Sequence, residues 1–312
     1  MKPALTEKDL WSIVLAGGDG QRLRPLVQRW LGRHMPKQYC TFIGTRSMLQ
    51  HTLDRSDRIV APEQRVTVIA REHQQDAWPQ FSSRTLGKVL LQPANRETAA
   101  GIFLGVAWVR AHDPGATVLI FPSDHFIYPE EPFVARTYSL ARAAKHLKHW
   151  VFLLGVLPDR SEPEYGWIQP DGHLGWIDGY RVRGTKEFLE KPSLEWCQSA
   201  LDSGALWNTM IIAARVELLW GLGVRCFPEM MRLFDVYAES IGTAREHIVL
   251  ESIYQEMPSG NFSAQLLQQC PRQVAVMELR DVVWSDWGRP ERIVETLRRV
   301  GREPKACWAH IA

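Results

Sequence analysis

The feature that most constrains this chain is a short apolar run that ends in a cluster of glycines. Residues 11–16 read WSIVLA, and a brief apolar run with β-branched residues predicts a buried strand. Gly17, Gly18 and Gly20 follow directly, so the chain can turn sharply and bring backbone N–H groups close to a ligand. Such a turn forms a concavity that binds anions. The sequence therefore predicts a phosphate site here.

Cations follow the turn closely. Arg22 and Arg24 come first, then Pro25, and after a polar loop the segment Pro36-Lys37-Gln38. Arginine and lysine supply the countercharge for a polyphosphate. A P-loop would need Gly-Lys-Ser/Thr, and a dinucleotide fingerprint would need a third glycine and a helix, against which Pro25 argues. An ordinary turn with surface arginines is the alternative.

The pattern Gly-Gly-x-Gly-x-Arg-Leu-x-Pro-Leu, followed by Pro-Lys-Gln, resembles the signature of the sugar-1-phosphate nucleotidylyltransferases. It is most similar to that of the mannose-1-phosphate guanylyltransferases. The resemblance implies transfer of a nucleotidyl group to a sugar 1-phosphate, with GTP and mannose 1-phosphate as first choice and Mg²⁺ as cofactor. It implies catalytic roles for Arg22, Lys37 and Asp124. It also implies nucleotide contacts at Leu15, Ala16, Gly17, Gly18 and Gly20.

The amino-acid composition argues against several classes of protein. The 312 residues are 45% hydrophobic and 23% charged, as in ordinary globular proteins, and the net charge of +2 gives no support for nucleic acid or anionic membranes as partners. The five cysteines never form a C-x-x-C pair, which favours reduced thiols in the cytoplasm. The N-terminus has no apolar signal region, and no run approaches membrane-spanning length. We expect a cytoplasmic protein.

Apolar runs alternate with helical patterns through the first half of the chain. The predicted strands are residues 11–16, 66–70, 88–92, 117–121 and 151–155. The predicted helices of this half are residues 47–58, 73–81, 97–110 and 132–148. Beyond it, helices are predicted at residues 193–203, 215–222, 229–257 and 290–300.

This alternation predicts an α/β fold with a Rossmann-like, mixed but mainly parallel sheet flanked by helices. Residues 158–190, rich in Gly, Pro and Trp, predict an antiparallel insertion, and the resemblance implies that this insertion binds the sugar. We expect one domain over 1–312, with a nucleotide-binding half (1–157) and a sugar-binding half with C-terminal helices (158–312). Ligands of such sheets bind at the carboxyl ends of the strands.

Two aspartates are the candidate metal ligands. Asp124 lies in Pro-Ser-Asp-His after the fourth predicted strand, and Asp286 lies in Trp-Ser-Asp-Trp-Gly before the last predicted helix. Carboxylates are ligands that Mg²⁺ prefers. Each could instead cap the following helix. By the resemblance, both hold the metal.

The segment that starts at Gln92 is the candidate base site. By resemblance, Gln92, Asn95 and Thr98 lie under the nucleotide base. The similar guanylyltransferases often carry Glu where this chain has Gln92, and an amide is less selective for guanine than a carboxylate. UTP or dTTP with glucose 1-phosphate is therefore an alternative pair. Asn95 could also cap the helix that follows.

Three further segments resemble the sugar-phosphate site of the family. The resemblance implies sugar and phosphate contacts at Tyr165, Gly166, Glu190, Lys191 and Asn208. The family usually has glycine where this chain has Met210, so we expect an altered backbone near the sugar.

Two other classes of protein fit the sequence less well. A non-catalytic regulatory subunit would be expected to lose Arg22, Lys37 or an aspartate, and none is lost. A glycosyltransferase would carry Asp-x-Asp, whereas Asp124 has Ser123 and Phe126 around it. A homodimer is a further expectation.

Overall fold

The computed structural model describes residues 8–82, 84–305 and 308. Part of the N-terminus for which predictions were made therefore lies outside the described residues, and so does Cys307. The strands described are β1 (Leu10–Ala16), β2 (Arg65–Ala70), β3 (Lys88–Gln92), β4 (Thr117–Pro122), β5 (Phe126–Tyr128), β6 (Val151–Val156), β7 (Gly166–Ile177), β8 (Tyr180–Glu190), β9 (Leu206–Arg215), β10 (Val274–Leu279) and β11 (Val283–Ser285).

The α-helices lie between these strands and at the end of the chain. They are α1 (Arg24–Leu31), α2 (Met48–Asp57), α3 (Gln74–Ala77), α4 (Glu97–His112), α5 (Glu130–His146), α6 (Leu194–Asp202), α7 (Val216–Cys226), α8 (Pro228–Ser240), α9 (Glu246–Glu256) and α10 (Pro290–Arg299). In the described part of the chain, none of the helices has the length and apolar character to span a membrane.

The main sheet has nine strands in the order β3-β2-β1-β4-β9-β6-β10-β8-β7. Seven strands of this sheet are parallel to one another, and β8 and β9 run in the opposite direction. The predicted α/β class with a Rossmann-like, mixed and mostly parallel sheet is thus confirmed. The carboxyl ends of β1, β3 and β4 meet at one edge of the sheet, where ligands of such folds bind.

Helices cover both faces of this sheet. Successive residues of a strand point to opposite faces, so Ile13 packs into the core beneath α4, α7, α8 and α9, while Val14 packs into the core beneath α2 and α5. Both side chains are fully buried. A strand that is buried on both sides reads as a continuous apolar run, which explains why β1 could be predicted from the sequence.

The structure corrects several predictions of secondary structure. The loop expected after Pro25 begins as helix α1, because proline at the first turn of a helix starts it and does not break it. The single helix expected over 229–257 is two helices, α8 and α9. Strands β9 and β10 are absent from the predicted set. The predicted antiparallel segment is confirmed as the β7–β8 pair, which extends the main sheet.

The cysteines that the structure describes are free thiols, as expected. Two of them, distant in sequence, meet in space, since the sulfur atoms of Cys226 and Cys270 lie 3.7 Å apart. Of the C-terminal tail, Trp308 is buried and packs edge-on against Trp30.

Candidate functional site

The glycine turn at the end of β1 is tied to the Pro-Lys-Gln segment. The amide of Gln38 donates to the carbonyl oxygens of Ala16 (3.1 Å) and Gly18 (2.7 Å). Gly20 has a φ of +61°, and a Cβ there would lie 2.9 Å from the backbone nitrogen of Lys37. A side chain at Gly20 would therefore both strain the backbone and push the Lys37 segment away. The two sequence motifs form one structural unit.

Lys37 joins this unit to both candidate metal ligands. Its ammonium lies 2.9 Å from Oδ2 of Asp124 and also donates to the main-chain carbonyl of Asp286. The two aspartates meet because Phe126 in β5 pairs antiparallel with Ser285 in β11. Neither aspartate is a helix cap: Asp124 precedes a strand, and the N-cap of α10 is Arg289. The capping alternatives are thus wrong.

The charges around the two aspartates keep both ionised. Burial alone would raise the pKa of Asp286, but Lys37 and Arg292 more than offset it and lower that pKa to about 2. Burial likewise opposes ionisation of Asp124, and Lys37 and His125 outweigh it, so its pKa is lowered. Burial lowers the pKa of the His125 imidazole. The site therefore presents two anionic carboxylates at neutral pH.

Arg22 lies at the open side of this pair. Its guanidinium contacts Glu164 at 3.0 Å and Oδ2 of Asp286 at 3.6 Å, and more than half of its side chain is exposed. The hydroxyl of Tyr165 donates to Oδ1 of Asp286 at 2.9 Å. The predicted residues Arg22, Lys37, Asp124, Tyr165 and Asp286 therefore form one connected group.

Sequence reasoning missed the ion pairs that support Asp286. Arg292 in α10, whose side chain is 4% exposed, contacts Oδ1 of Asp286 at 2.8 Å, Glu164 at 2.7 Å and Glu162 at 2.8 Å. Its guanidinium also lies 4.6 Å from the ring centre of Tyr165. The sequence signal was weak: α10 is strongly amphipathic, and an arginine in its buried stripe at 292 is the one hint of a paired charge.

Six of the eight predicted nucleotide-binding residues line a cavity of about 340 Å³, and the other two, Ala16 and Gly20, are not part of its lining. Gln92 is buried there, and its amide nitrogen donates to the carbonyl of Ala94 at 2.9 Å. Its amide oxygen faces Gly17 and Gly101, where added Cβ atoms would lie 3.3 and 3.2 Å away. The full lining is Leu15, Gly17, Gly18, Val68, Gln92, Asn95, Glu97, Thr98, Gly101 and Asn261.

Asn95 and Thr98 are engaged within the protein at the start of α4. Oδ1 of Asn95 accepts from the backbone N–H of Glu97 at 2.9 Å, but the N-cap of α4 is Arg96, so Asn95 bonds to the start of the helix from one residue before the cap. The hydroxyl of Thr98 accepts from the backbone N–H of Phe262 at 2.9 Å. The cavity wall is therefore fixed by hydrogen bonds before any ligand enters.

The predicted sugar-binding residues gather at one end of β7, β8 and β9. Gly166 pairs with Glu190 across the β7–β8 ladder, and a Cβ on Gly166 would lie 2.8 Å from Oε2 of Glu190 and 3.3 Å from Cβ of Asn208. The backbone N–H of Lys191 donates to the carbonyl of Tyr165 at 3.1 Å. Burial raises the pKa of Glu190. The side chain of Lys191 is exposed.

Met210 occupies the position where glycine was expected. Its φ is +56°, so a methionine holds the left-handed conformation that glycine adopts most easily. Its backbone N–H donates to Oδ1 of Asn208 at 3.0 Å. The departure from the family pattern therefore changes the side chain and leaves a backbone that glycine would also fit.

A mixed sheet with a glycine turn and a buried lysine that bridges two aspartate segments is typical of proteins that bind phosphate groups. The family model of the nucleotidyl transferases matches residues 11–302, and the chain belongs to that family. The predicted resemblance is confirmed at this level.

Several relatives carry more specific names. The mannose-1-phosphate guanylyltransferase of Salmonella montevideo is 30% identical over 295 residues, which are 88% of this chain and 57% of the relative. The xanthan biosynthesis protein XanB of Xanthomonas campestris pv. campestris is 32% identical over 212 residues, or 67% of this chain and 43% of the relative. The chain thus spans about half the length of these curated relatives.

Solved structures agree with the fold. The structure of mannose-1-phosphate geranyltransferase from Thermus thermophilus superposes with a TM-score of 0.78 at 26% identity, covering 93% of this chain and 79% of that one. A glucose-1-phosphate thymidylyltransferase from Bacillus anthracis superposes with a TM-score of 0.51 at 16% identity, covering 93% of each chain. The latter likeness concerns the fold alone.

Proposed function

We propose that this protein transfers a nucleotidyl group from a nucleoside triphosphate to a sugar 1-phosphate and releases pyrophosphate. GTP and mannose 1-phosphate are the proposed pair, which gives GDP-mannose. One observation carries the proposal: Lys37 contacts Asp124 and Asp286 while its own segment is bonded to the glycine turn. A phosphate-binding turn and a carboxylate pair are thus joined at one lysine. The names of the relatives support the choice of substrates.

The reaction needs no covalent intermediate on the protein. An oxygen of the sugar phosphate attacks the α-phosphorus of the triphosphate in line, a new P–O bond forms, and the bond to the leaving pyrophosphate breaks. Such transfer depends on positioning and on neutralising charge. In the proposal, the N–H groups of the glycine turn and Arg22 hold the β- and γ-phosphates, and Lys37 lies beside the α-phosphate.

The sugar-side residues complete this assignment. Glu190, Asn208 and the backbone at Tyr165 and Gly166 would bind the sugar hydroxyls. Lys191, whose side chain is exposed at the same end of the sheet, would neutralise the sugar phosphate. Gln92 would face the base, with Leu15, Ala16, Asn95 and Thr98 around it.

Mg²⁺ fits the carboxylate pair. The ammonium of Lys37 already occupies a position between Asp124 and the Asp286 segment, and the lowered pKa values keep both carboxylates anionic. Two carboxylates are hard oxygen ligands of the kind that Mg²⁺ takes together with substrate phosphate oxygens. Asp124 and Asp286 would hold it, and when bound it would offset negative charge on the phosphates.

Measurement of pyrophosphate release tests the proposal. GTP, UTP, dTTP and ATP are each paired with mannose 1-phosphate and with glucose 1-phosphate, in the presence of Mg²⁺. Release with GTP and mannose 1-phosphate alone is the expected result. Release with another pair would support the proposed reaction but change the assigned substrates. Gln92 favours this alternative, because an amide is less selective for guanine than a carboxylate is. Nucleotide binding without any release would favour a regulatory subunit.

The remaining expectations are proposals as well. We place the protein in the cytoplasm and expect a homodimer. The division into halves at residue 157 stays a prediction.

A further inference from the structure

A second group of potential metal ligands lies beside the glycine turn. It consists of Asp19, Glu72 and His73, whose ligand atoms lie within 4.8 Å of one another. Asp19 belongs to the turn after β1, while Glu72 and His73 lie in the short helix Arg71–His73 after β2. Strands β1 and β2 are parallel neighbours, with Ala16 paired to Ile69, so the segments that follow them emerge side by side. Among the described residues, none of these three forms an ion pair with Asp124 or Asp286.

Of the polar atoms that face one another in this group, Oδ1 of Asp19 is buried and has no hydrogen-bond partner. The side chain of His73 is 9% exposed, and its Nε2 lies 3.8 Å from both Oδ1 of Asp19 and Oε1 of Glu72. That distance is too long for a hydrogen bond. Oδ1 of Asp19 and Nδ1 of His73 are both buried and unpartnered. A buried carboxylate oxygen that faces an imidazole without bonding to it costs stability unless something lies between them.

The spacing suits a cation in that position. Two metal–ligand bonds of about 2.1 Å that span 3.8 Å meet at an angle of about 130°, which is near enough to a tetrahedral site for a small adjustment to complete it. The side chain of Glu72 is 69% exposed and is free to rotate toward the same point. Imidazole nitrogen and carboxylate oxygen are both donors that Zn²⁺ accepts, whereas Mg²⁺ takes oxygen ligands.

We propose that Asp19, Glu72 and His73 form a binding site for a divalent transition-metal cation of the Zn²⁺ type, separate from the carboxylate pair. The other positions around the metal are open to water or to a ligand. Asp19 also accepts from the amide of Asn95 through Oδ2, at 3.1 Å, so the site would link the glycine turn to the base cavity.

One consequence rests on the proposed function. If the turn binds a triphosphate, the carboxylate of Asp19 repels it, and a bound cation would offset that charge. Zn²⁺ should then tighten nucleotide binding in the wild type and not in Asp19→Asn. The metal site itself does not depend on this consequence.

Titration of the chelator-treated full chain with Co²⁺, followed by visible absorption and by competition with Zn²⁺, tests the site. With Mg²⁺ in excess to occupy the carboxylate pair of Asp124 and Asp286, we expect one equivalent of Co²⁺ to bind, and we expect His73→Gln and Asp19→Asn to weaken its binding at least about tenfold. His173→Gln, which removes an exposed imidazole on β7, is the matched control and should bind as the wild type does. Asp124→Asn should also retain binding, because it alters the other site.

Two results would overturn the proposal: no saturable binding of Co²⁺ or Zn²⁺, or undiminished binding in the His73→Gln variant. Circular dichroism checks that His73→Gln folds. If it does not, Asp19→Asn and Glu72→Gln replace it, because each keeps its shape and changes only the ligand atom. If the protein binds one Zn²⁺ but releases no pyrophosphate, the proposed metal site stands and the proposed reaction is wrong.

Discussion

The ammonium of Lys37 lies 2.9 Å from the carboxylate of Asp124, and the lysine side chain is almost completely buried. A buried lysine is stable when it is paired, and here the same ammonium also donates to the carbonyl of Asp286. One positive charge thus connects the segment after the glycine turn with the ends of β4 and β11. In the proposed reaction this position is where a triphosphate and a cation would both be bound.

Replacing Asp124 with asparagine should reduce the rate of pyrophosphate release by at least about 10²-fold, because the site loses one of its two anionic ligands and the partner of Lys37. Asparagine has nearly the same shape, so no cavity is made. The rate at saturating substrates and urea unfolding are the two measurements. The expected result is a lost rate with cooperative unfolding retained.

Asp235→Asn, at an exposed position of α8, is the matched control and should leave the rate unchanged. Near-normal turnover of Asp124→Asn would contradict the assignment of Asp124 to the metal.

The sequence was most informative where the chemistry is local. The turn at Gly17–Gly20 and the Lys37 segment could be predicted because each is a short run with its own backbone requirements. That Asp124 and Asp286 meet could not be predicted from spacing, since it depends on the pairing of β5 with β11. The three-residue strand β11 has too little pattern to be recognised.

Arg292 shows a second limit of sequence reasoning. Its partners Glu162 and Glu164 lie in a segment far from it in sequence, and only Asp286 is a near neighbour, so no short window of sequence contains the whole cluster. Local reading also failed at Pro25, where a proline taken as a break begins helix α1. In both cases the neighbours in space, or the position within the helix, decide the role of the residue.

Arg292→Met should destabilise the fold by about 3–5 kcal/mol, because it leaves buried carboxylates without their shared countercharge. Methionine retains much of the side-chain volume, so the effect reports on charge more than on packing. Urea unfolding measures the change in free energy. Activity should fall as well, since Oδ1 of Asp286 loses the contact at 2.8 Å that orients it.

Arg299→Met is the control on the same helix. Arg299 contacts Asp159 at 2.7 Å, but both side chains are about half exposed, so the expected loss is at most about 1 kcal/mol. Equal losses for the two variants would show that the buried ion pairs around Arg292 contribute nothing specific.

Gly166→Ala should weaken binding of the sugar 1-phosphate. The added Cβ would lie 2.8 Å from Oε2 of Glu190 and 3.1 Å from Cζ of Phe188, so the carboxylate must move. Displacement of one sugar contact should raise the KM for the sugar 1-phosphate about tenfold or more, with little change in the KM for the triphosphate. Initial rates with each substrate varied in turn measure the two constants.

Gly221→Ala provides the comparison, because a Cβ there meets no atom within 4 Å and the residue lies inside α7. It should leave both constants unchanged and stabilise the helix by about 0.5–1 kcal/mol. If Gly166→Ala raises the KM for the triphosphate and not that for the sugar 1-phosphate, the assignment of Gly166 to the sugar-binding part of the site is wrong.

The stability of the protein should depend on pH through Glu190. Burial raises the pKa of this carboxyl, so between its unfolded and folded pKa values the native state binds more protons than the unfolded chain. Stability from this group is therefore fully present below the ordinary glutamate pKa of about 4.3 and is lost as pH rises through the folded value. Glu190→Gln removes the titrating group. Relative to the wild type, the variant should gain stability as pH rises from about 4 to about 8.

Urea unfolding of both proteins across that pH range measures the difference. Glu187→Gln, an exposed carboxylate on the same strand, controls for the general effect of removing one negative charge. If the difference in the free energy of unfolding between Glu190→Gln and the wild type stays constant with pH, burial does not shift the pKa of Glu190. Above the folded pKa of Glu190 the glutamine variant should also lose affinity for the sugar 1-phosphate, because a charged carboxylate accepts from a hydroxyl more strongly than a neutral amide oxygen does. The KM measured alongside unfolding separates this role from the stability effect.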